Sequence, residues 1–202
     1  MNDGNLEVKM WYVPPVADKD AEGVLLELYN QDLEKDGYIW NTTRVWSYRP
    51  ELAAPWRQVL KIIRSNMRLR AYELVTIAAS RAIGCVYCML AHGEVLHKNG
   101  FSVQQIIAIL EDFHTADLSP LEVHMMDYAF KISTDTSLIT QADIDLLHQD
   151  GLNNQQISDI AMAAVARNFM SRMFEAFGVN PDPELQVREP ELWDYLKKSR
   201  FS

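Results

Sequence analysis

The stretch "LRAYELVTIAASRAIGCVYCMLAH", residues 69–92, sets the reading of the whole chain. Up to Ile83 it is apolar and small-residue rich with no alternation, which suits a helix buried on most sides rather than a strand. Gly84 stops that helix. The chain's two cysteines follow at once, Cys85 and Cys88, with His92 four residues past the second. If a new helix starts here, Cys85 stands at its first turn. At about 100° per residue, Cys88 lies about 60° to one side of Cys85, and His92 falls between them. All three therefore share one narrow face at a helix N-terminus, where free amides and the positive dipole end favour thiolate over thiol. A CxxC motif so placed can carry a cysteine pKa from about 8.5 to about 7 or below. A neighbouring imidazole can take the proton or stabilise the thiolate.

Three readings of this cluster stand side by side: a metal clip, a redox-active dithiol, or two small buried thiols. Zinc would take Cys85, Cys88, His92 and a fourth ligand, Glu73 or His97, yet no second Cys/His cluster exists to complete the usual two-element site. A disulfide across three residues closes too small a loop to be a useful staple. Glu73 adds weight to the dithiol. On one straight helix it would sit about 18 Å from Cys85. A chain reversal at Gly84 instead brings it level with His92, where a carboxylate can orient the imidazole or pass protons. Its neighbours Leu74, Val75 and Ile77 are apolar, so the carboxylate needs a partner. A plain ion pair with Arg70, three residues back on the helix, is the competing assignment.

The remainder reads as helical throughout, giving an all-α fold. Residues 18–35 form an amphipathic helix on Val24, Leu25, Leu28, Tyr29 and Leu33. Pro50 and Glu51 open another. Ser102 with Gln105, Ser119-Pro120 with Glu122, and Asn153 with Gln156 are capping-box starts, the last opening a long helix to Phe177. A Pro- and charge-rich tail wraps the surface on Trp193 and Tyr195. One internal repeat is visible. "LHKNGFSVQQI" (96–106) returns as "LHQDGLNNQQI" (147–157), 51 residues later, sharing six of eleven positions. The counterparts of Cys85, Cys88 and His92 are Thr136, Ile139 and Asp143, so a duplicated helical unit has kept its scaffold and carries thiols in one copy.

With 202 residues and a net charge of −9, the chain is long enough for one full core and has no basic surface for nucleic acid. Neither an export leader nor a membrane span is legible, and a cytoplasmic, reducing setting is expected. His97 and His148, near helix ends, read as structural, and His114 and His124 as solvated or capping. Trp40, Trp46, Tyr48 and Trp56 are candidates for a pocket lining. Asn168 and Arg172 are candidates for the site or for a subunit contact.

The segment "ELVTIAASRAIGCVYCMLAHGEVL", with Glu73, eleven intervening residues, then Cys85-x-x-Cys88-x-x-x-His92, resembles the core of the AhpD-like superfamily: alkylhydroperoxidase AhpD and the carboxymuconolactone decarboxylase-like proteins. "VPPV", "VWSYRPEL" and "ARNFMSRMFEAFGV" extend the likeness, to the peroxidase-related branch. The resemblance implies an all-helical bundle over 1–202, divided as an N-terminal region 1–68, a CxxC core 69–113, a second helical unit 114–180 and a tail 181–202. It implies a homo-oligomer, as dimer, trimer or hexamer. It also implies that Cys88 is the peroxidatic thiolate attacking a hydroperoxide, that Cys85 resolves it to a disulfide, and that His92 and Glu73 relay protons. Neither a bound cofactor nor a metal is expected. The disulfide would be reduced by an external dithiol, a lipoyl group or a thioredoxin-like protein. Where the family's AhpD has a histidine before the second cysteine, this chain has Tyr87, a possible auxiliary and a poor base. The decarboxylases of the family lack the dithiol, so lactone chemistry is disfavoured. A general disulfide oxidoreductase and a non-catalytic metal-binding or structural oligomer are the alternatives.

Overall fold

The computed structural model describes residues 11–199, so the expectation of no export leader, which begins at residues 1–10, lies in part outside the described residues. Among them are eleven α-helices and no strand. In chain order these are α1 (Gly23–Asp36), α2 (Asn41–Arg44), α3 (Ala53–Ser65), α4 (Leu69–Ile83), α5 (Val86–Lys98) and α6 (Val103–Asp112). Then follow α7 (Pro120–Thr134), α8 (Gln141–Gln149), α9 (Asn154–Phe177), α10 (Pro183–Arg188) and α11 (Pro190–Lys198).

Helix α4 is the axis of the bundle. Every side chain from Tyr72 to Ser80 is buried, and α5, α7 and α9 pack around it. Such a helix cannot leave hydroxyls unpaired. Ser80 donates to the Thr76 carbonyl at 2.7 Å and Thr76 to the Glu73 carbonyl at 3.0 Å, so both are satisfied within the helix. The chain then reverses at Gly84, whose φ of +80° is strained for any residue with a Cβ. The Cys85 amide reaches back to the Ser80 carbonyl and the Gly84 amide to that of Arg81, a Schellman closure. The turn sets α5 antiparallel against α4, which is what levels His92 with Glu73.

The repeat is reproduced at its exit. After α5, Gly100 and Phe101 donate to His97 and Leu96; after α8, Gly151 and Leu152 donate to His148 and Leu147. Capping boxes at Ser102/Gln105 and Asn153/Gln156 then open α6 and α9, and Ser119/Glu122 opens α7. The copies differ at their entrance. Whereas α5 starts at Val86, α8 starts only at Gln141, so Thr136 lies in a 3-10 turn and Ile139 in a loop. Asp143 is spent accepting the Thr140 amide and hydroxyl.

Two expectations are corrected. The helix expected over 18–35 is a 3-10 turn at Asp18–Asp20 followed by α1. Its buried face is Leu25, Leu28, Tyr29 and Asp32, whereas Val24 and Leu33 face solvent. Asp32 turns inward because its carboxylate accepts the Trp40 amide at 3.1 Å. The tail is not a surface wrap but two helices docked on the bundle. Its deep anchors are Leu192 and Leu196, fully buried, while Trp193 and Tyr195 are only half-buried. Truncating Leu192 to alanine should therefore cost about 2–4 kcal/mol, measured by urea denaturation; a loss below about 1 kcal/mol would mean that α11 is a dispensable appendage.

Candidate active site

Cys85 caps the N-terminus of α5 and Cys88 is the third residue inside it. Both thiols are free and buried. The free amides of the first turn already favour negative charge there. A second source comes from α9. Arg167, itself buried, points its Nη1 at the Cys88 sulfur at 3.6 Å. Ser171, one helical turn on, is fully buried, and its Oγ has no other hydrogen-bond partner among the described residues. Burial alone would hold Cys88 protonated. The hydrogen bond from Cys85, the Arg167 charge, the Ser171 hydroxyl and His92 together outweigh it, bringing its pKa down to about 5. Cys85 goes the other way: burial first, then the neighbouring Cys88 sulfur, push its thiol well above the ordinary range. At neutral pH the pair is thus one thiolate and one thiol.

His92, on α5 a turn beyond Cys88, meets the carboxylate of Glu73 at 2.5 Å through Nδ1. Glu73 is almost wholly buried, and its other oxygen lies 3.7 Å from Arg64 of α3. The expected alternative partner, Arg70, is engaged instead with Glu122 at the start of α7. An imidazole held through Nδ1 by a carboxylate has its ring orientation fixed and presents its Nε2 outward.

Cys88, His92, Arg167 and Tyr87 open onto one chamber of about 280 Å3. The rest of its wall is largely apolar and aromatic, with Trp46, Trp56, Leu60, Met170 and Phe174. Two buried donors there lack partners among the described residues: Trp56 Nε1 and Arg167 Nε. A chamber with an anionic sulfur, a carboxylate-held imidazole and spare N–H groups can deliver a nucleophile and protonate what leaves.

The sequence matches the Carboxymuconolactone decarboxylase family over residues 50–131. Three solved structures share the fold. The AhpD core of an uncharacterized peroxidase-related protein from Ralstonia eutropha JMP134 superposes with a TM-score of 0.76 at 20% identity, covering 88% of this chain and 95% of its own. A peroxidase-related protein from Silicibacter sp. TM1040 gives 0.72 at 20%, covering 94% and 96%. The debrominase Bmp8 gives 0.71 at 19%, covering 92% and 97%. No curated protein matches the sequence. The chain has the fold of these AhpD-like structures, and the family match lies within it over residues 50–131.

The four residues singled out from sequence, Glu73, Cys85, Cys88 and His92, do come together. Tyr87 lines the chamber, but its hydroxyl is committed to Asp182, in the loop before α10. Burial and that carboxylate push the phenol well above its ordinary pKa, so it serves as a neutral donor. His97 turns to Glu189 at 2.8 Å and not toward the thiols. Among the described residues no group of three or more His, Cys, Asp or Glu side chains is arranged for a metal. Of the four aromatic candidates, Trp46 and Trp56 line the chamber. Trp40 packs on Tyr38 and under Arg188, and Tyr48 is exposed, bonded to the Pro14 carbonyl. Asn168 and Arg172 are not in the chamber lining; they tie α9 to the Ile132 and Ser133 carbonyls at the end of α7.

Arg167 and Ser171 are what the sequence reading missed. They too are spaced i, i+4, one residue behind the pair that drew attention and so about 100° around the helix. The available signal was their face: Ala163, Ala164, Met170 and Phe174 make it the buried one, and a cation there demands an anion. The thiolate absorbance of Cys88 should titrate with a midpoint near 5, present above it and lost as the pH falls below. Arg167→Met should move that midpoint upward by at least about one unit. An unmoved midpoint would remove Arg167 as its cause.

Proposed function

We propose that this protein is a thiol-dependent peroxidase that reduces alkyl or other organic hydroperoxides by a Cys88/Cys85 dithiol–disulfide cycle. The observation that carries the reading is the contact of Arg167 with the Cys88 sulfur at 3.6 Å, in the chamber onto which the Glu73-bound His92 also opens. Thiolate Cys88 attacks the terminal peroxide oxygen, the O–O bond breaks, and Cys88 becomes a sulfenic acid. The departing alkoxide takes a proton from His92 and leaves as the alcohol. The Cys85 thiol then attacks the sulfenic sulfur; a disulfide forms and water departs with the thiol proton. An external dithiol, a lipoyl group or a thioredoxin-like protein, reduces the disulfide and becomes oxidised in turn. Arg167 and Trp56 would hold the peroxide oxygens, a role that calls for N–H groups without other partners.

A reducing, cytoplasmic location suits such a cycle; among the described residues no helix is long and apolar enough to cross a membrane. A homo-oligomer is also proposed. Met162, Val165 and Phe169 form an exposed apolar stripe on α9, and Val59 and Ile62 are exposed on α3, surface that a second copy would cover. A second reading, reductive removal of halogen from an aromatic ring, draws on the aromatic chamber and on the debrominase of the same fold.

The test is a peroxide-consumption assay with a dithiol reductant, with intact mass to follow the cysteines. Cys88→Ser should abolish turnover and Cys85→Ser should stall at the sulfenic acid. Full activity in both would refute the cycle. Bromide release from a bromopyrrole without hydroperoxide consumption would transfer the assignment to the second reading. Glu73→Gln keeps the shape but removes the carboxylate that holds and orients His92. It should lower turnover by about 10²-fold, with the loss concentrated in peroxide reduction and not in reduction of the disulfide.

A further inference from the structure

His92 and Arg167 have a second side. Beyond the thiol chamber they help to wall an open groove of about 790 Å3. Arg57, Leu60 and Ala91 also belong to both, so the two spaces adjoin along one shared wall. Their chemistry differs. The outer groove carries Lys61 and Arg64 besides Arg57 and Arg167. Its only lining carboxylate is Glu73, already held by His92 and Arg64. In a chain of net charge −9 this is a local excess of positive charge.

That excess is also unspent. Cations elsewhere are paired with carboxylates, as Arg44 with Asp18, Arg70 with Glu122 and Lys131 with Asp143. Among the described residues Arg57 bonds only a neutral hydroxyl, that of Thr43, at 3.0 Å, and Lys61 has no ion-pair partner. Arg57, Lys61 and Arg64 fall on one face of α3, so that Lys61 stands about 6 Å along the helix from Arg57 and Arg64 about 10 Å. Leu60, Leu69 and Val95 supply apolar wall to the same groove.

We propose that this groove binds the carboxylate of an anionic organic hydroperoxide, with the hydrocarbon body on Leu60 and the peroxide delivered to Cys88. The inference rests on the peroxidase reading and adds the substrate class. Arg57 and Lys61 are specificity residues that touch the far end of the substrate. Exposed cations act at a screened distance, about 8 Å at physiological ionic strength, so the preference must weaken with salt.

Cumene hydroperoxide and its para-carboxylate differ in this one group. Pre-reduced protein is mixed with each in turn, and the second-order rate of Cys88 oxidation is followed before any reductant is added. The carboxylate should react roughly three- to tenfold faster at low ionic strength, with the ratio falling toward one at high salt. Lys61→Glu should bring the ratio to one or below. Lys35→Glu, the same charge change at an exposed site on α1, should keep it. Equal rates for the two compounds, or a ratio that Lys61→Glu does not change, would overturn the inference and leave the peroxidase reading standing. If Lys61→Glu slows only the later reduction of the disulfide, the groove receives the reductant and the substrate assignment is overturned. Oxidation of Cys88 by neither hydroperoxide would defeat the peroxidase reading and this inference with it.

Discussion

A guanidinium placed at the centre of a buried helix face has to find an anion, and for Arg167 that anion is the sulfur of Cys88. The two charges justify each other. Without the thiolate, Arg167 would be an unpaired charge among Ala163, Ala164 and Met170, at a cost of several kcal/mol. Without Arg167, burial would hold Cys88 in its neutral form. The reactive state of the cysteine is in this sense part of the packing between α5 and α9.

A second buried pair completes the arrangement from the other side. Glu73 belongs to the helix on which the whole bundle is built, so its carboxylate cannot move to water. His92 closes on it only because the turn at Gly84 folds α5 back along α4. One glycine conformation therefore determines two things at once: Cys85 and Cys88 lie at a helix start, and His92 lies level with a carboxylate that precedes Cys85 by twelve residues. The tail adds a third tie, from Tyr87 to Asp182, which also accepts the Asn41 amide at 2.8 Å and so joins the N-terminal region, the site and the C-terminal helices.

Much of this is legible before any coordinates, for identifiable reasons. Helix ends are local events: a Gly at positive φ, a capping Ser or Asn and a Gln three residues on are all written within four or five letters. The shared face of Cys85, Cys88 and His92 follows from helical period alone. Which residue of α9 would face them is a different kind of question. It depends on the rotation of a 24-residue helix whose apolar residues run nearly all the way round, so that the face carrying Arg167 stands out only weakly from the one carrying Arg172. The tail misled for a related reason. Prolines at 181, 183 and 190 read as irregular chain, yet Pro183 and Pro190 stand at the first turns of helices, where a missing amide costs nothing.

The position of Tyr87 shows how one side chain of the chamber is tied to distant chain. A phenol in the second turn-forming position of α5 cannot act as a base at neutral pH, and burial together with Asp182 pushes it still further from doing so. Asp182 in turn is pushed up by its own burial, against the donors that Tyr87 and Asn41 supply. Each is tolerable only because the other is present. The consequence for the proposed cycle is a restriction of proton traffic. Of the side chains lining the thiol chamber, Arg167 and Arg57 stay charged, Tyr87 stays neutral, and Cys88 is the nucleophile. His92 is left as the group placed to give a proton to a leaving alkoxide and regain one from solvent, and Glu73 is the reason its ring is held where that exchange can occur.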